Sequence, residues 1–94
     1  MDRDRKERIA RNEARSRDLN ERFGMGHFTC ECGDADCHKV IGMSIEIYKS
    51  VRADDRRFLV APGHEMPEIE DVVVKRKGFA VVRKRDEVAH VVGR

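Results

Sequence analysis

Hydrophobic positions are few at the start of the chain and gather into short runs after it. Residues 2–22 are almost entirely helix-forming, with opposite charges three or four positions apart, and this pattern predicts a helix. Because its apolar stripe is weak, we expect the helix to be solvated and to dock through Leu19 and Phe23. Gly24 and Gly26 then end it.

The next stretch alternates like a strand. In residues 27–32 the alternation puts Cys30 and Cys32 on one face with Phe28, and residues 39–43 have the character of a return strand. The two segments predict a hairpin with cysteines at its tip, in the manner of a zinc ribbon.

A short helix and a compact strand follow the hairpin. Ser44 is a suitable N-cap for a helix over residues 45–53. Its inner face is expected to hold Ile45, Tyr48 and either Val51 or Arg52. Residues 58–61 form an apolar strand that Pro62-Gly63 closes.

The last third of the chain is rich in valine. Runs at residues 72–74, 79–82 and 88–92, separated by charged turns, predict a three-stranded antiparallel meander. A helix over residues 67–76 is the alternative, because the period is ambiguous over so few positions. The predicted fold class is α+β: an N-terminal helix, a small zinc-ribbon-like hairpin, a short helix and an antiparallel β meander. We divide it into a charged helix, 1–22, and a zinc-stabilised domain, 23–94.

Composition makes a large apolar core difficult. The chain has 94 residues, of which 39% are hydrophobic and 40% charged, so burial alone gives marginal stability. It shows neither the long apolar run of a membrane span nor a signal peptide, and we expect a cytoplasmic protein.

Charge is distributed unevenly along the chain. Residues 1–22 carry eight basic and six acidic side chains, residues 23–74 five and ten, and residues 75–94 seven and two. The segment net charges are therefore +2, −5 and +5. An acidic middle and a basic tail can steer a polyanion or an acidic protein to one face.

All three cysteines fall within one window of eight residues. Cys30, Cys32 and Cys37 are separated by the turn-forming residues Gly33 and Asp34, which allows three sulfurs to converge on one soft ion. Three thiols cannot all pair as disulfides, and reducing cytosol disfavours such bonds. We therefore predict a Zn²⁺ site rather than three packed thiols.

A structural zinc site needs a fourth ligand, and we predict His64. It stands on a turn remote in sequence, where ligation would constrain a large loop. His27 and His38 are the alternatives, in that order, because each lies on the wrong strand parity relative to the neighbouring cysteine. With four ligands no coordination position is left for water, so we expect a protein that is not an enzyme. If His64 did not bind, an open site beside Glu65 would allow zinc catalysis.

Five motifs together cover most of the chain. They are Asn12-Glu13, Leu19-Asn20-Glu21-Arg22, Cys30-Glu31-Cys32-Gly33-x-x-x-Cys37, Tyr48-x-x-Val51-Arg52-Ala53-Asp54 and Arg57-Phe58-x-Val60-x-Pro62-Gly63-His64. This combination resembles a group of small, uncharacterised actinobacterial zinc-binding proteins. The Pro-Gly-His step belongs to that pattern and His38 does not, so the resemblance favours His64. It implies no activity.

Two functions fit these observations. The first is a zinc-stabilised module with a regulatory role, binding nucleic acid or the transcription machinery. Phe79 would offer a stacking surface, and the candidate basic contacts are Lys75, Arg76, Lys77, Arg83, Lys84 and Arg85. The alternative is a protein-interaction adaptor whose zinc only holds the scaffold. Neither function requires a membrane or a small-molecule substrate.

Overall fold

The computed structural model describes residues 3–34, 36–86 and 88, and it has the predicted α+β architecture. A long helix comes first and is followed by strands with one short helix among them. The elements are α1 (Arg3–Phe23), β1 (His27–Thr29), β2 (Val40–Gly42), α2 (Ile45–Arg52), β3 (Arg57–Val60), β4 (Glu70–Arg76) and β5 (Phe79–Lys84).

The strands form two antiparallel sheets. β1 and β2 make a two-stranded hairpin, in which Phe28 lies opposite Ile41. The second sheet has the order β3-β5-β4, with β5 in the centre. Gly78, with φ of 104°, occupies the tight turn between β4 and β5, where a residue with a Cβ would be strained.

Two predictions for the last third of the chain have different outcomes. The alternative helix over residues 67–76 is wrong, because β4 occupies residues 70–76 and pairs with β5. Cross-strand valine pairs such as Val74 with Val81 favour the extended form here. The predicted strand over residues 88–92 falls, apart from Val88, outside the described residues.

α1 packs against the rest of the fold through a face that the sequence did not indicate. Leu19 and Phe23 are 52% and 73% exposed, so the expectation that they dock the helix is wrong. The docking face combines two apolar and three polar side chains, namely Ile9, Ala10, Glu13, Arg17 and Asn20. Polar side chains can be buried on this face of α1 because the rest of the fold supplies them with charged and hydrogen-bonding partners.

Lys84 is the centre of one such polar contact. It lies opposite Glu70 in the β4–β5 register, forms an ion pair with it, and its Nζ also lies 2.8 Å from Oε1 of Glu13. All three side chains are fully buried. Burial is the main cause that raises the pKa of Glu13 well above its ordinary value. The ammonium group of Lys84 opposes this shift but cannot balance two buried carboxylates, so Glu70 raises the pKa of Glu13 further.

Phe58 lies under the same helix and has cations around its ring. The guanidinium carbons of Arg17 and Arg52 lie 5.1 and 5.0 Å from the ring centroid, and Lys84 Nζ lies 4.4 Å from it. Because the ring is fully buried, these cation–π contacts are partly desolvated, which strengthens them. The ring thus helps to hold α1 and α2 on β3.

α2 begins as predicted. The Ser44 side chain accepts a hydrogen bond from the amide of Ile47, which caps the first turn. Tyr48 and Val51 are buried as expected, but Ile45 is 38% exposed, so its assignment to the inner face is wrong. The Tyr48 ring stacks on Phe28, with centroids 4.1 Å apart, and joins α2 to the hairpin.

None of the helices in the described part of the chain combines the length and apolarity that crossing a bilayer requires.

Candidate metal centre

Three thiols and one imidazole converge between the β1–β2 hairpin and the turn after β3. The ligand atoms of Cys30, Cys32, Cys37 and His64 all lie within 4.8 Å of one another. Nδ1 of His64 is 3.7 Å from Sγ of Cys30 and 3.6 Å from Sγ of Cys37. A tetrahedral metal with ordinary zinc bond lengths places sulfur and nitrogen ligands about 3.6 Å apart. The four side chains can therefore hold one metal ion with little rearrangement.

Backbone hydrogen bonds fix the first ligand. The amide of Cys30 donates to the carbonyl of Lys39 at 2.9 Å, which extends the hairpin pairing by one step beyond β1. The amide of Ala61 donates to Sγ of Cys30 at 3.1 Å. An N–H donor on the sulfur stabilises a thiolate, the form that binds metal.

A tight turn returns the chain to the third ligand. The Asp34 carboxylate accepts a hydrogen bond from the amide of Asp36, and the Asp34 carbonyl accepts one from the amide of Cys37. This is the Asx-type turn for which Asp is suited. It brings Sγ of Cys37 back over the hairpin tip.

His64 reaches the cluster through the turn that the sequence predicts. Its amide donates to the carbonyl of Ala61 at 3.0 Å, with Pro62 and Gly63 at the two central positions. Gly63 has φ of 85°, and a type II turn requires a positive φ at that position. The turn thereby brings the imidazole to two thiols that are distant in sequence, since His64 follows Cys30 by 34 residues and Cys37 by 27.

The two alternative histidines lie elsewhere. His27 and His38 are both exposed, and neither belongs to the cluster that the described residues form. The structure thus brings together the four residues that the sequence predicts as ligands, in a cluster that could hold a metal ion, and leaves the two alternative histidines on the surface.

The cysteine thiols of the cluster differ in acidity. A hydrogen bond with Cys32 lowers the pKa of the Cys30 thiol, and the amide of Ala61 adds to this effect against the opposing effect of burial. The same contact and burial raise the pKa of Cys32. Metal binds the thiolate form of cysteine, so metal affinity is expected to fall in acid.

Glu31, between two of the ligands, is a structural centre that the sequence analysis missed. Its side chain is buried and accepts hydrogen bonds from the amide of Leu59 at 2.9 Å, the Asn20 side chain at 2.9 Å and the Tyr48 hydroxyl at 2.5 Å. Burial raises the pKa of Glu31, while the nearby Arg52 opposes that shift. One carboxylate thus connects the segment from Cys30 to Cys37, here called the metal loop, to α1, α2 and β3.

α1 also contacts the metal loop directly. The Asn20 side chain accepts a hydrogen bond from the amide of Thr29 and donates one to its carbonyl, as a neighbouring strand would. The Asn12 side chain donates to the carbonyl of Gly33 at 3.1 Å. Gly33 itself lies so close to Ile9 that a methyl group at this position would overlap the Ile9 side chain. Sequence offers little signal for these roles, since polar residues in a charged helix are usually solvated.

The six basic residues predicted to contact nucleic acid fall into three groups. Lys75, Arg76 and Lys77 are exposed at the β4–β5 turn. Arg83 pairs with Asp54 at 3.0 Å, and Arg85 pairs with Asp71 at 2.9 Å. These two positive charges are therefore partly neutralised.

Lys84 is the sixth residue, and its assignment to a surface contact is wrong. It is buried with its ammonium group between two carboxyl groups, so a polyanion cannot reach it. Strand alternation provides the physical reason. Lys84 points to the same side of β5 as the buried Ala80 and Val82, and Arg83 points to the other.

Comparison with protein-family models, curated protein sequences and solved structures gave no significant match. The resemblance to the actinobacterial group therefore stays a prediction from the motifs.

Proposed function

We propose that this protein is a cytoplasmic, zinc-stabilised binding module that engages nucleic acid or a nucleic-acid-bound assembly, without catalytic activity of its own. The observation that carries this proposal is the convergence of three sulfurs and one imidazole within 4.8 Å. Three thiolates and a neutral imidazole suit Zn²⁺, and four protein ligands complete its tetrahedral shell. A complete shell has no position for a reacting water, so the metal acts as a structural tie.

The charge of the β4–β5 turn supports an anionic partner. Within the described residues, Lys75, Arg76 and Lys77 form no ion pair with a carboxylate, and the Arg76 guanidinium donates only to the carbonyl of Lys75. Three adjacent uncompensated cations give a local field that phosphate groups neutralise with release of counterions. Lys75 and Arg76 are successive residues of β4 and point to opposite faces of the strand, so the three charges flank the β4–β5 turn on both sides.

The test of this proposal measures binding and metal content on the same protein. Fluorescence anisotropy with mixed-sequence DNA, in duplex and single-stranded form, should show affinity that falls steeply with added salt. If about three phosphates are neutralised, the slope of log affinity against log salt is about −2 to −3. Reversing the charge in a Lys75→Glu, Lys77→Glu variant should abolish binding. Lys49→Glu, which makes a single charge reversal on the exposed side of α2, should reduce it only slightly.

Failure of the wild-type protein to bind either form of DNA contradicts the nucleic-acid proposal. Equal loss in the Lys49→Glu control contradicts the assignment to the β4–β5 turn. Native mass spectrometry of the same samples should show one zinc ion per chain. A metal-free protein with unchanged folding contradicts the structural role of the metal.

A protein-interaction adaptor is the second candidate, and exposed apolar residues favour it. Phe23, Met25 and Val40 are 73%, 82% and 65% exposed, and the first two are only two positions apart in the chain. Exposed apolar side chains that form one contiguous patch are typical of contact sites for other proteins. A partner captured by the wild type but not by a Phe23→Ser, Met25→Ser variant, in high salt and without nucleic acid, would support this function over the first.

A further inference from the structure

An open groove of about 580 Å³ lies between α2 and the β4–β5 hairpin, away from the metal ligands. Its volume is in the range of ligand pockets, roughly 300–1,000 Å³. Ile47 and Val51 of α2 form one wall, and Val74, Phe79 and Val81 of the sheet form the other. The groove is therefore an apolar trough rather than a polar cleft.

The rim of this groove is cationic. Arg57, Arg76 and Lys77 line it, and no acidic side chain does so among the described residues. A ligand that fills the trough and matches its rim must carry negative charge on an otherwise apolar or flat body. A neutral or basic ligand leaves Arg76 and Lys77 uncompensated, whereas the Arg57 guanidinium already lies 4.0 Å from the carboxylate of Asp54.

One aromatic ring lies where the apolar wall meets the rim. Phe79 is opposite Arg76 in the hairpin register, so the two side chains are cross-strand neighbours. The ring is partly exposed and lines the groove. An aromatic face next to a guanidinium group is the pairing that binds an unstacked base together with its phosphate.

We infer that this groove binds single-stranded nucleic acid, with a base against Phe79 and the adjoining phosphates on Arg76, Lys77 and Arg57. This inference rests on the proposed function and adds the form of the nucleic acid. A duplex keeps its bases stacked and paired, so it can reach the cationic rim but cannot place a base in the trough. The groove thus selects for single strands, and the rim alone does not.

The test compares a labelled 12-nucleotide oligothymidylate with a 12-base-pair duplex, using fluorescence anisotropy on the zinc-loaded protein. The single strand is expected to bind about tenfold or more tightly than the duplex. Phe79→Leu keeps an apolar side chain in β5 but removes the stacking surface, and it should weaken single-strand binding about tenfold. Duplex binding should be unchanged by this substitution.

A second pair of variants keeps the test informative if Phe79→Leu disturbs folding. Ile47 is 47% exposed and lines the groove, so Ile47→Glu adds a negative charge beside the bound strand with little effect on the core. Ile45, on the same helix but outside the groove lining, is 38% exposed. Ile47→Glu should weaken single-strand binding at least tenfold, and Ile45→Glu should change it less than twofold.

Failure of this inference is distinguishable from failure of the proposed function. Equal affinity for single strand and duplex, or no effect of Phe79→Leu and Ile47→Glu, overturns the groove site while leaving a nucleic-acid module. No binding of either form overturns both. Displacement of the oligonucleotide by an acidic amphipathic peptide, with tighter binding of that peptide than of the single strand, assigns the groove to a protein partner and also overturns the inference.

Discussion

The hydroxyl of Tyr48 donates a hydrogen bond of 2.5 Å to Oε2 of Glu31, so a residue of α2 holds the carboxylate that lies between Cys30 and Cys32, two of the candidate metal ligands. Both side chains are buried. Burial and the negative charge of Glu31 raise the pKa of Tyr48, which keeps its hydroxyl a donor throughout the physiological pH range. The position of the metal loop thus depends on contacts outside the four ligands.

Replacing Tyr48 by Phe should destabilise the zinc-loaded protein by about 1–3 kcal/mol, because a buried carboxylate loses one of its donors. The ring stacking on Phe28 is retained, so the change isolates the hydroxyl. Chemical denaturation measures the difference. Ser50→Ala is the control, since the Ser50 hydroxyl is exposed and bonds only its own helix, and it should cost less than about 0.5 kcal/mol. Equal effects of the two variants would contradict the role of Glu31.

Replacing His64 by Ala should release the metal or leave it weakly held. The imidazole is the ligand that ties the turn after β3 to the hairpin, so its loss also removes the closure of a long loop. Native mass spectrometry with and without a chelator measures zinc per chain. His27→Ala and His38→Ala are matched controls and should keep one ion each. Loss of the ion in either control, with retention in His64→Ala, would contradict the ligand assignment.

The pH dependence of stability should contain a contribution from Glu13. Its pKa in the folded protein is raised above the ordinary 4.5 of the unfolded chain, chiefly by burial. The folded protein therefore holds the proton on Glu13 more tightly than the unfolded chain does. The stability that this proton contributes is complete below pH 4.5 and is lost as the pH rises through the pKa of Glu13 in the folded protein. Glu13→Gln cannot ionise, so the variant should gain stability relative to the wild type as the pH rises, by at most about 1.4 kcal/mol per pH unit.

Denaturation of both proteins at a series of pH values between 4 and 9 provides this comparison. Taking the difference between variant and wild type cancels the exposed carboxylates, such as Asp71 and Asp86, whose pKa values are lowered by neighbouring arginines. A difference that stays constant with pH would show that Glu13 is not protonated in the folded protein.

Gly33→Ala should destabilise the protein by about 1–3 kcal/mol through overpacking. A Cβ there overlaps the Ile9 side chain and approaches the Ile9 carbonyl oxygen to 3.2 Å, so relief requires α1 to move. Gly42→Ala is the control, because a Cβ at that position meets only one atom, at 3.9 Å. Thermal unfolding should separate the two variants. A Gly33→Ala protein as stable as Gly42→Ala would mean that α1 does not pack on the metal loop.

The ligand cluster could be predicted from the sequence because its signals are local. Cysteines in a short window, the turn residues between them and the Pro62-Gly63 step before His64 each constrain geometry over a few positions. The same holds for the Ser44 cap and for the hairpin. The alternative helix over residues 67–76 was wrong because the signal there is not local. In so short a run the hydrophobic pattern fits both a helix and a strand, and only pairing with β5 determines that a strand forms.

The docking of α1 could not be predicted, because its signals are distant. Glu13, Arg17 and Asn20 are typical solvated helix residues when read alone. Their burial depends on Lys84, on Phe58 and on the backbone of Thr29, none of which is near them in sequence. For Lys84 a signal did exist: alternation along β5 separates it from Arg83 and Arg85, with which the charge pattern had grouped it.

The contact of Glu13 with Lys84 has a consequence for how α1 finds its place. A stripe of leucines tolerates sliding, because one aliphatic surface resembles the next. A shift of α1 by one turn, about 5.4 Å, or a rotation by one residue, about 100°, instead separates the carboxyl group from the ammonium group and Asn20 from the Thr29 backbone. The interior of this small protein therefore favours a single register of the helix, because other packings leave buried polar groups without their hydrogen-bonding partners.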